Sequence, residues 1–332
     1  MIALLSLVLA VTAAPAREIT DATGRVVTVP DDPERVFAAG PPAAVLLYML
    51  KPEAMVGWVR APRAADRPFL LPSTHSLPEL GRLTGRGDTV NLEVLLAAKP
   101  DLIFDLGTVN DTYLSLAERV QGQTGVPYVL IDGSFADMPQ TLRQMAEVLG
   151  VPERGERLAA YAEETLDLVD ATLAGIPQAD RPGVYLARGP EGLETAGPNS
   201  INAESIGRVG ARNVVEASND GLATVSPENV LGWAPDVIIM MDPHFAETVA
   251  GNPAWAEVPA VANNRIYLAP SAPFGFIDGP PSVNRLIGLH WLMHRLYPET
   301  AGGELNRQVQ DFYELFYQVR PDDDAVSALV GE

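Results

Sequence analysis

PERGERLAAYAEETLDLVDATLAG, residues 152–175, is the longest uninterrupted helical pattern in the chain. Pro152 suits a first helical turn, and Gly175 followed by Pro177 suits an end. As one helix it would run about 36 Å at 1.5 Å per residue. The segments on either side of it share a plan. Upstream, residues 18–29 alternate around a Thr-Gly turn and predict a β-hairpin. Strand-like runs follow at 35–40, 55–59, 102–104 and 128–131, with helical spacing at 43–50, 91–98 and 113–124 and again up to Leu149. Residues 60–90 are rich in Pro, Gly and Arg and predict a loop. Downstream, strands are expected at 183–187, 237–241 and 265–268, and helices at 201–209, 282–296 and 303–317.

One internal echo ties the halves together. Asn91-Leu-Glu-Val-Leu-Leu-Ala-Ala-Lys-Pro-Asp-Leu-Ile-Phe-Asp-Leu-Gly107 parallels Ser226-Pro-Glu-Asn-Val-Leu-Gly-Trp-Ala-Pro-Asp-Val-Ile-Ile-Met-Met-Asp242. Each runs cap, Glu, helix, Pro-Asp, apolar strand, loop. Strands alternating with helices imply parallel sheets covered on both faces. The expected fold class is therefore α/β: two Rossmann-like lobes with parallel sheets, joined by one long helix, with a ligand cleft between them. Expected boundaries are 1–16 for a leader, 17–150 for the first lobe, 151–177 for the bridging helix and 178–332 for the second lobe. A single stiff helix between lobes predicts small relative motion.

Composition narrows the function. The chain has 332 residues, 23 Lys+Arg against 43 Asp+Glu, and a net charge of -20. A polyanion would be repelled unless a local basic patch existed, and the sequence holds none, so no nucleic-acid partner is expected. Cys is absent, which removes disulfides, thiolate metal sites, Cys nucleophiles and an N-terminal lipid anchor. Ile2 to Ala13 form an apolar run of signal-peptide length before Ala14-Pro15-Ala16. Export to the periplasm with cleavage of that leader is expected.

The succession of motifs resembles the class III periplasmic substrate-binding proteins of ABC importers, which carry ferric siderophores, cobalamin and haem. The resemblance rests on Thr20 to Pro30, Glu34-Arg35-Val36, Asn91 to Leu102, the mid-chain helix and Ser226 to Val237. Arg188-Gly-Pro-Glu-Gly-Leu-Glu-Thr195 and Pro273-Phe-Gly-Phe-Ile-Asp-Gly-Pro-Pro-Ser-Val-Asn-Arg285 are similar to a branch that includes a molybdate/tungstate binder. The resemblance implies partners: an ABC permease and its ATPase at the inner membrane, approached by a monomer. It also implies that Glu93 and Glu228, one per lobe, dock on permease arginines. Each Glu equally suits the positive end of its helix dipole. No resident cofactor is expected; any metal, such as iron, would arrive within the cargo.

Ligand contacts should come from loops that follow strands. Arg60 and Arg188 are the sharpest candidates, because a guanidinium binds oxyanions or carboxylates in a fork and stays charged when buried. Either could instead pair with one of the many acids. Asn199 and Ser200 precede a predicted helix and suit its cap or an anion. Trp58, Tyr185, Phe274 and Phe276 could wall a pocket or fill the core. His244, beside Asp242, is the histidine at a predicted cleft loop. His290 and His294 share a helix face but lack a third ligand type, so no metal site is expected. Hydrolase, phosphate-loop, zinc-protease and dinucleotide motifs are absent. The leading expectation is a binding protein that delivers a metal chelate of ferric-siderophore type. The alternatives are molybdate or tungstate as cargo and, from another class, a secreted hydrolase using Asp105 and Asp242.

Overall fold

The computed structural model describes residues 15–85, 92–216 and 221–331. Residues 1–14 of the expected leader and Asn91 lie outside them, while Ala16, its expected last residue, opens a strand. An antiparallel hairpin, β1 (Ala16–Thr20) with β2 (Val26–Pro30), opens the chain. The first lobe then runs β3 (Val36–Ala38), α1 (Pro41–Leu50), α2 (Leu92–Ala98), β4 (Leu102–Gly107), α3 (Asp111–Thr124), β5 (Tyr128–Asp132) and α4 (Met138–Val148). Its strands pair in parallel in the order β3-β4-β5.

Helix α5 (Pro152–Ala174) leads to the second lobe. There follow β6 (Gly183–Ala187), β7 (Glu194–Ala196), α6 (Glu204–Arg208), β8 (Arg212–Asn213), β9 (Leu222–Thr224), α7 (Pro227–Trp233), β10 (Val237–Met240), α8 (Pro243–Thr248), α9 (Pro259–Ala262) and β11 (Ile266–Leu268). The parallel sheet has the order β11-β10-β6-β8, and β7 pairs with β9 as a separate antiparallel ribbon. α10 (Arg285–Leu296), α11 (Leu305–Phe312) and α12 (Asp323–Val330) close the chain.

Burial explains why the lobes hold together. α1 is apolar on every side, and Ala43 to Leu50 are all buried, the signature of a helix enclosed by other elements. It lies between β3, β4 and the turn of π-helix at Tyr313–Tyr317. The Tyr48 hydroxyl donates to the Tyr317 carbonyl at 2.7 Å and accepts from the Leu71 N–H at 2.9 Å. α5 buries one stripe, Leu158, Ala159, Ala162, Thr165, Val169 and Leu173. Gly155 lets α5 meet α4 closely: a Cβ there would fall 2.1 Å from Ala146 Cβ. From α5, Arg154 reaches the Met49 carbonyl at 2.6 Å and the Leu315 carbonyl at 3.0 Å. One apolar cluster runs from Val36 and Phe104 of the first lobe through α1, α5 and α10 to Val184 and Ile239 of the second.

Several local expectations give way. Residues 55–59 do not form a strand; Met55 and Trp58 make isolated bridges, Trp58 exchanging backbone hydrogen bonds with Pro78 and Leu80. Gly57 packs so tightly on this loop that a Cβ would sit 2.6 Å from the Pro78 carbonyl oxygen. The helix expected from Ile201 begins at Glu204, because Ser200 and Asn202 bond each other in a preceding turn. The helix expected to reach Tyr317 relaxes into the π-turn after Phe312.

Candidate functional site

The loop after β5 meets the 200–204 turn of the second lobe, and there the lobes touch through glycine. A Cβ on Gly133 would lie 3.1 Å from Gly107 Cα and 3.3 Å from Ile201 Cδ1, so Ile201 of the second lobe rests against Gly133 of the first. Ser282 donates across the same divide to the Pro42 carbonyl at 2.8 Å.

A polar cluster sits at the end of β6. Arg188 Nε lies 3.2 Å from Asp278 Oδ2, and its Nη1 lies 3.4 Å from Glu194 Oε1. These contacts are within ion-pair range but poorly aligned. Arg188 Nη1 and Asp278 Oδ2 are both buried and neither has a hydrogen-bond partner among the described residues. The other oxygen of Asp278 accepts from Asn202 at 2.9 Å and from the Gly279 N–H at 2.7 Å. Arg188 and Asp278 are thus held by ion pairs rather than by well-aligned hydrogen bonds.

The candidates divide between this cluster and elsewhere. Ser200 is buried and its hydroxyl bonds Asn202, one step from Asp278. Asn199 is exposed on the same turn, and neither residue caps α6. Arg60 is exposed, with no hydrogen bond or ion pair among the described residues. Trp58 is 2% exposed and Phe276 fully buried. Trp58 donates its indole N–H to the Thr74 carbonyl at 2.9 Å. Half-buried Phe274 meets Trp58 at a tilt and Tyr48 and Tyr317 edge-on, with ring centroids 6.2, 6.2 and 5.6 Å away. Tyr185 is buried and donates to the Gly192 carbonyl at 2.8 Å. These aromatics are core or its margin.

His244 is exposed in the first turn of α8, where its N–H is capped by Asp242 at 2.8 Å. His290 is buried against Thr165, and burial drags its pKa down to about 4. His294 bonds Gln308 at 3.1 Å. Among the described residues no three His, Asp or Glu side chains gather as a metal site. Asp105 and Asp242 are each engaged locally. Asp105 is buried and accepts from the Thr84 hydroxyl at 3.1 Å and the Leu106 N–H at 3.0 Å. Burial pushes its carboxyl up to about 6.

Glu93 and Glu228 are exposed in the first turns of α2 and α7. A hydrogen bond with Ser226 holds the Glu228 carboxyl below its usual value. Each helix turns through Pro-Asp into β4 or β10. It therefore runs back along its sheet, with its first turn at the carboxyl end of the strands.

Sequence reasoning missed Arg285 and Glu204. In the sequence Arg285 is only the last residue of the 273–285 motif, inside the helix expected at 282–296. Its partners lie 81 and 152 residues away in sequence, which no local pattern reveals.

Two parallel-sheet lobes meeting at a polar cleft, with a single long helix between them, have the architecture of a protein that holds a small solute between domains. Residues 65–273 match the model of the family described as periplasmic binding protein, and the chain belongs to that family. It is 29% identical over 273 residues to the molybdate-binding protein MolA of Haemophilus influenzae, covering 75% of this chain and 77% of that one. It is 28% identical over 212 residues to the vitamin B12-binding protein of Pectobacterium carotovorum, covering 63% and 71%. Among solved structures, an ABC transporter solute-binding protein from Sulfurospirillum deleyianum superposes with a TM-score of 0.86 at 29% identity, covering 95% of this chain and 99% of that one. Molybdate-bound MolA superposes with a TM-score of 0.76 at 25% identity, covering 92% and 99%.

Proposed function

We propose that this chain is the periplasmic solute-binding component of an ABC importer, exported by its leader and working as a monomer, and that its cargo is a small oxyanion of the molybdate class. One observation carries the choice of cargo. Ile201 rests on Gly133 across the cleft, and the aromatics that would wall a macrocyclic or catecholate chelate are held in the core. The polar residues gathered at the end of β6 centre on Arg188, whose Nη1 makes an ion pair but no hydrogen bond among the described residues. The adjoining carboxylates of Asp278 and Glu194 oppose a bare anion. Binding therefore requires the ligand to replace one of these acids at Arg188, or to arrive with a proton or counter-cation. The vitamin B12-binding relatives keep a metal chelate as the second reading. A solute carrier needs no catalytic group, and the cleft acids are engaged as structural acceptors.

A thermal-shift panel of molybdate, tungstate, ferric siderophores, cobalamin and haem tests the cargo. A ligand at 100 times its Kd stabilises by about 2.7 kcal/mol, and each kcal/mol moves the Tm of a domain of 150–250 residues by roughly 2–4 °C. The expected result is a shift with oxyanions alone, lost in Arg188→Ala. A shift with one chelate and none with oxyanions reverses the assignment.

Glu93 and Glu228 dock this protein on a two-fold permease. Each is followed three residues on, hence on the same helix face, by an exposed leucine: Leu96 at 48% and Leu231 at 39% exposure. Each lobe so offers a carboxylate beside an apolar spot. Glu93→Ala with Glu228→Ala should abolish uptake in a transport assay and leave ligand affinity unchanged. Uptake equal to wild type would sink the docking role.

A further inference from the structure

We infer that Arg285, with Glu204, is an interlobe staple that fixes the width of the cleft before any ligand arrives. This goes beyond the cargo assignment and does not depend on it. Arg285 is fully buried, yet its guanidinium is paired on both sides of the divide. Toward the second lobe, Nε donates to the Ser282 carbonyl at 3.1 Å, and Nη1 donates to the Ile201 carbonyl at 3.0 Å and to Glu204 Oε2 at 2.9 Å. Toward the first lobe, Nη2 donates to the Gly133 carbonyl at 2.6 Å, and the guanidinium lies 4.4 Å from the centroid of the Phe135 ring. Glu204 completes the loop, its other oxygen accepting the Phe135 N–H at 2.9 Å.

The chemistry suits a fixed joint rather than a hinge. A planar fork spends its donors in set directions, so the lobes are held in orientation as well as distance. A rigid shift of the 133–135 loop away from Ile201 would break two contacts of Arg285 and one of Glu204 together. It would also leave the buried Nη2 donor and the second Glu204 oxygen without partners, although the ion pair itself would stay together. The same residues set the ligand cluster. Arg285 holds the Ile201 carbonyl, and the next residue, Asn202, holds Asp278 against Arg188. Arg285 is thus a positioning residue: it acts on ligand through the 200–202 turn.

The absence of Cys makes the test direct. Glu118→Cys on α3 and Glu247→Cys on α8 place one exposed label on each lobe, and pulsed electron–electron dipolar spectroscopy reads the distance between them. With Arg285 and Glu204 intact, one narrow distribution is expected, unmoved by saturating molybdate. Arg285→Met and Glu204→Gln should each broaden it and lengthen its mean by about 1–2 Å, the scale of shifts between packed elements. Arg285→Lys keeps the charge but loses the fork, and should fall between. Glu204→Gln keeps the shape of the side chain and reports even if Arg285→Met fails to fold. In the opened variants molybdate affinity should drop at least about fivefold, since only the closed fraction binds. A native-width distribution in a folded Glu204→Gln protein overturns the staple. So does a wild-type distance that contracts when molybdate is added. If molybdate binds no variant and not the wild type, the cargo assignment fails while the ligand-free distances still decide the staple.

Discussion

The two copies of the repeated segment share a backbone and differ in what they bury. In both, the fifth residue is fully buried, Leu95 and Val230, and the sixth is an exposed leucine. Both helices end on a non-glycine residue in the left-handed region, Lys99 at φ 47° and Ala234 at φ 46°. Both then place a buried Pro and an Asp whose carboxylate accepts N–H groups at the start of the neighbouring strand. Asp101 takes those of Glu34 and Arg35, and Asp236 takes that of Gly183 at 2.6 Å. The Pro-Asp echo is therefore a device for seating a strand. Four residues past each Asp the copies diverge: the first lobe carries Asp105 inside β4, and the second carries Met240 inside β10, both buried. The first lobe hides a carboxyl where the second hides a thioether.

The largest effect should come from removing that difference in the wrong direction. Met240 is packed in an apolar cluster with Tyr185, Phe245 and Trp255. Met240→Asp would place a carboxylate there without a hydroxyl partner such as Thr84. A loss of about 3 kcal/mol or more at pH 7 is expected in urea denaturation. A loss below about 1 kcal/mol would mean that the second lobe tolerates the charge as well as the first, and that the contrast carries no energy.

The converse change sharpens the contrast through pH. The Asp105 carboxyl titrates at about 6 in the folded state because burial disfavours its charge, against about 3.9 in an unfolded chain. The folded protein therefore holds this proton more tightly. The contribution of Asp105 is most favourable below the unfolded value, is lost as pH rises from about 4 to about 6, and stays lost above. Asp105→Asn should flatten that slope and add about 1–3 kcal/mol above pH 6. A variant less stable than wild type at pH 8 would show that the ionised carboxylate is needed there.

How far the sequence reached follows from the same contrast. The echo made the two lobes legible, since cap, Pro-Asp and apolar run are local features. The long amphipathic pattern from Pro152 marked α5 to within a residue. Burial of single side chains was not legible. An aromatic residue after a strand suits a pocket wall as well as a core, and only the fold shows Trp58 tied to the Thr74 carbonyl. Nor could the sequence show the whole cluster around Arg188: Glu194 follows it within one motif on β7, but Asn202 and Asp278 come from separate loops. Arg285 is the extreme case: its significance exists only once β5, α6 and α10 meet.

The smallest effect tests the shared part of the repeat. Lys99 and Ala234 adopt left-handed φ values at the ends of α2 and α7, each N–H bonding back into its own helix at 3.1 Å. An L-residue there costs roughly 1–2 kcal/mol through its Cβ. Glycine removes that cost but adds about 0.5–1 kcal/mol of unfolded-state entropy. Lys99→Gly and Ala234→Gly should therefore each stabilise by about 0.5–1 kcal/mol. The gains should match, because both side chains are exposed and only the Cβ is common to them. A gain in one lobe alone would mean that the two turns, alike in φ, are held by different forces.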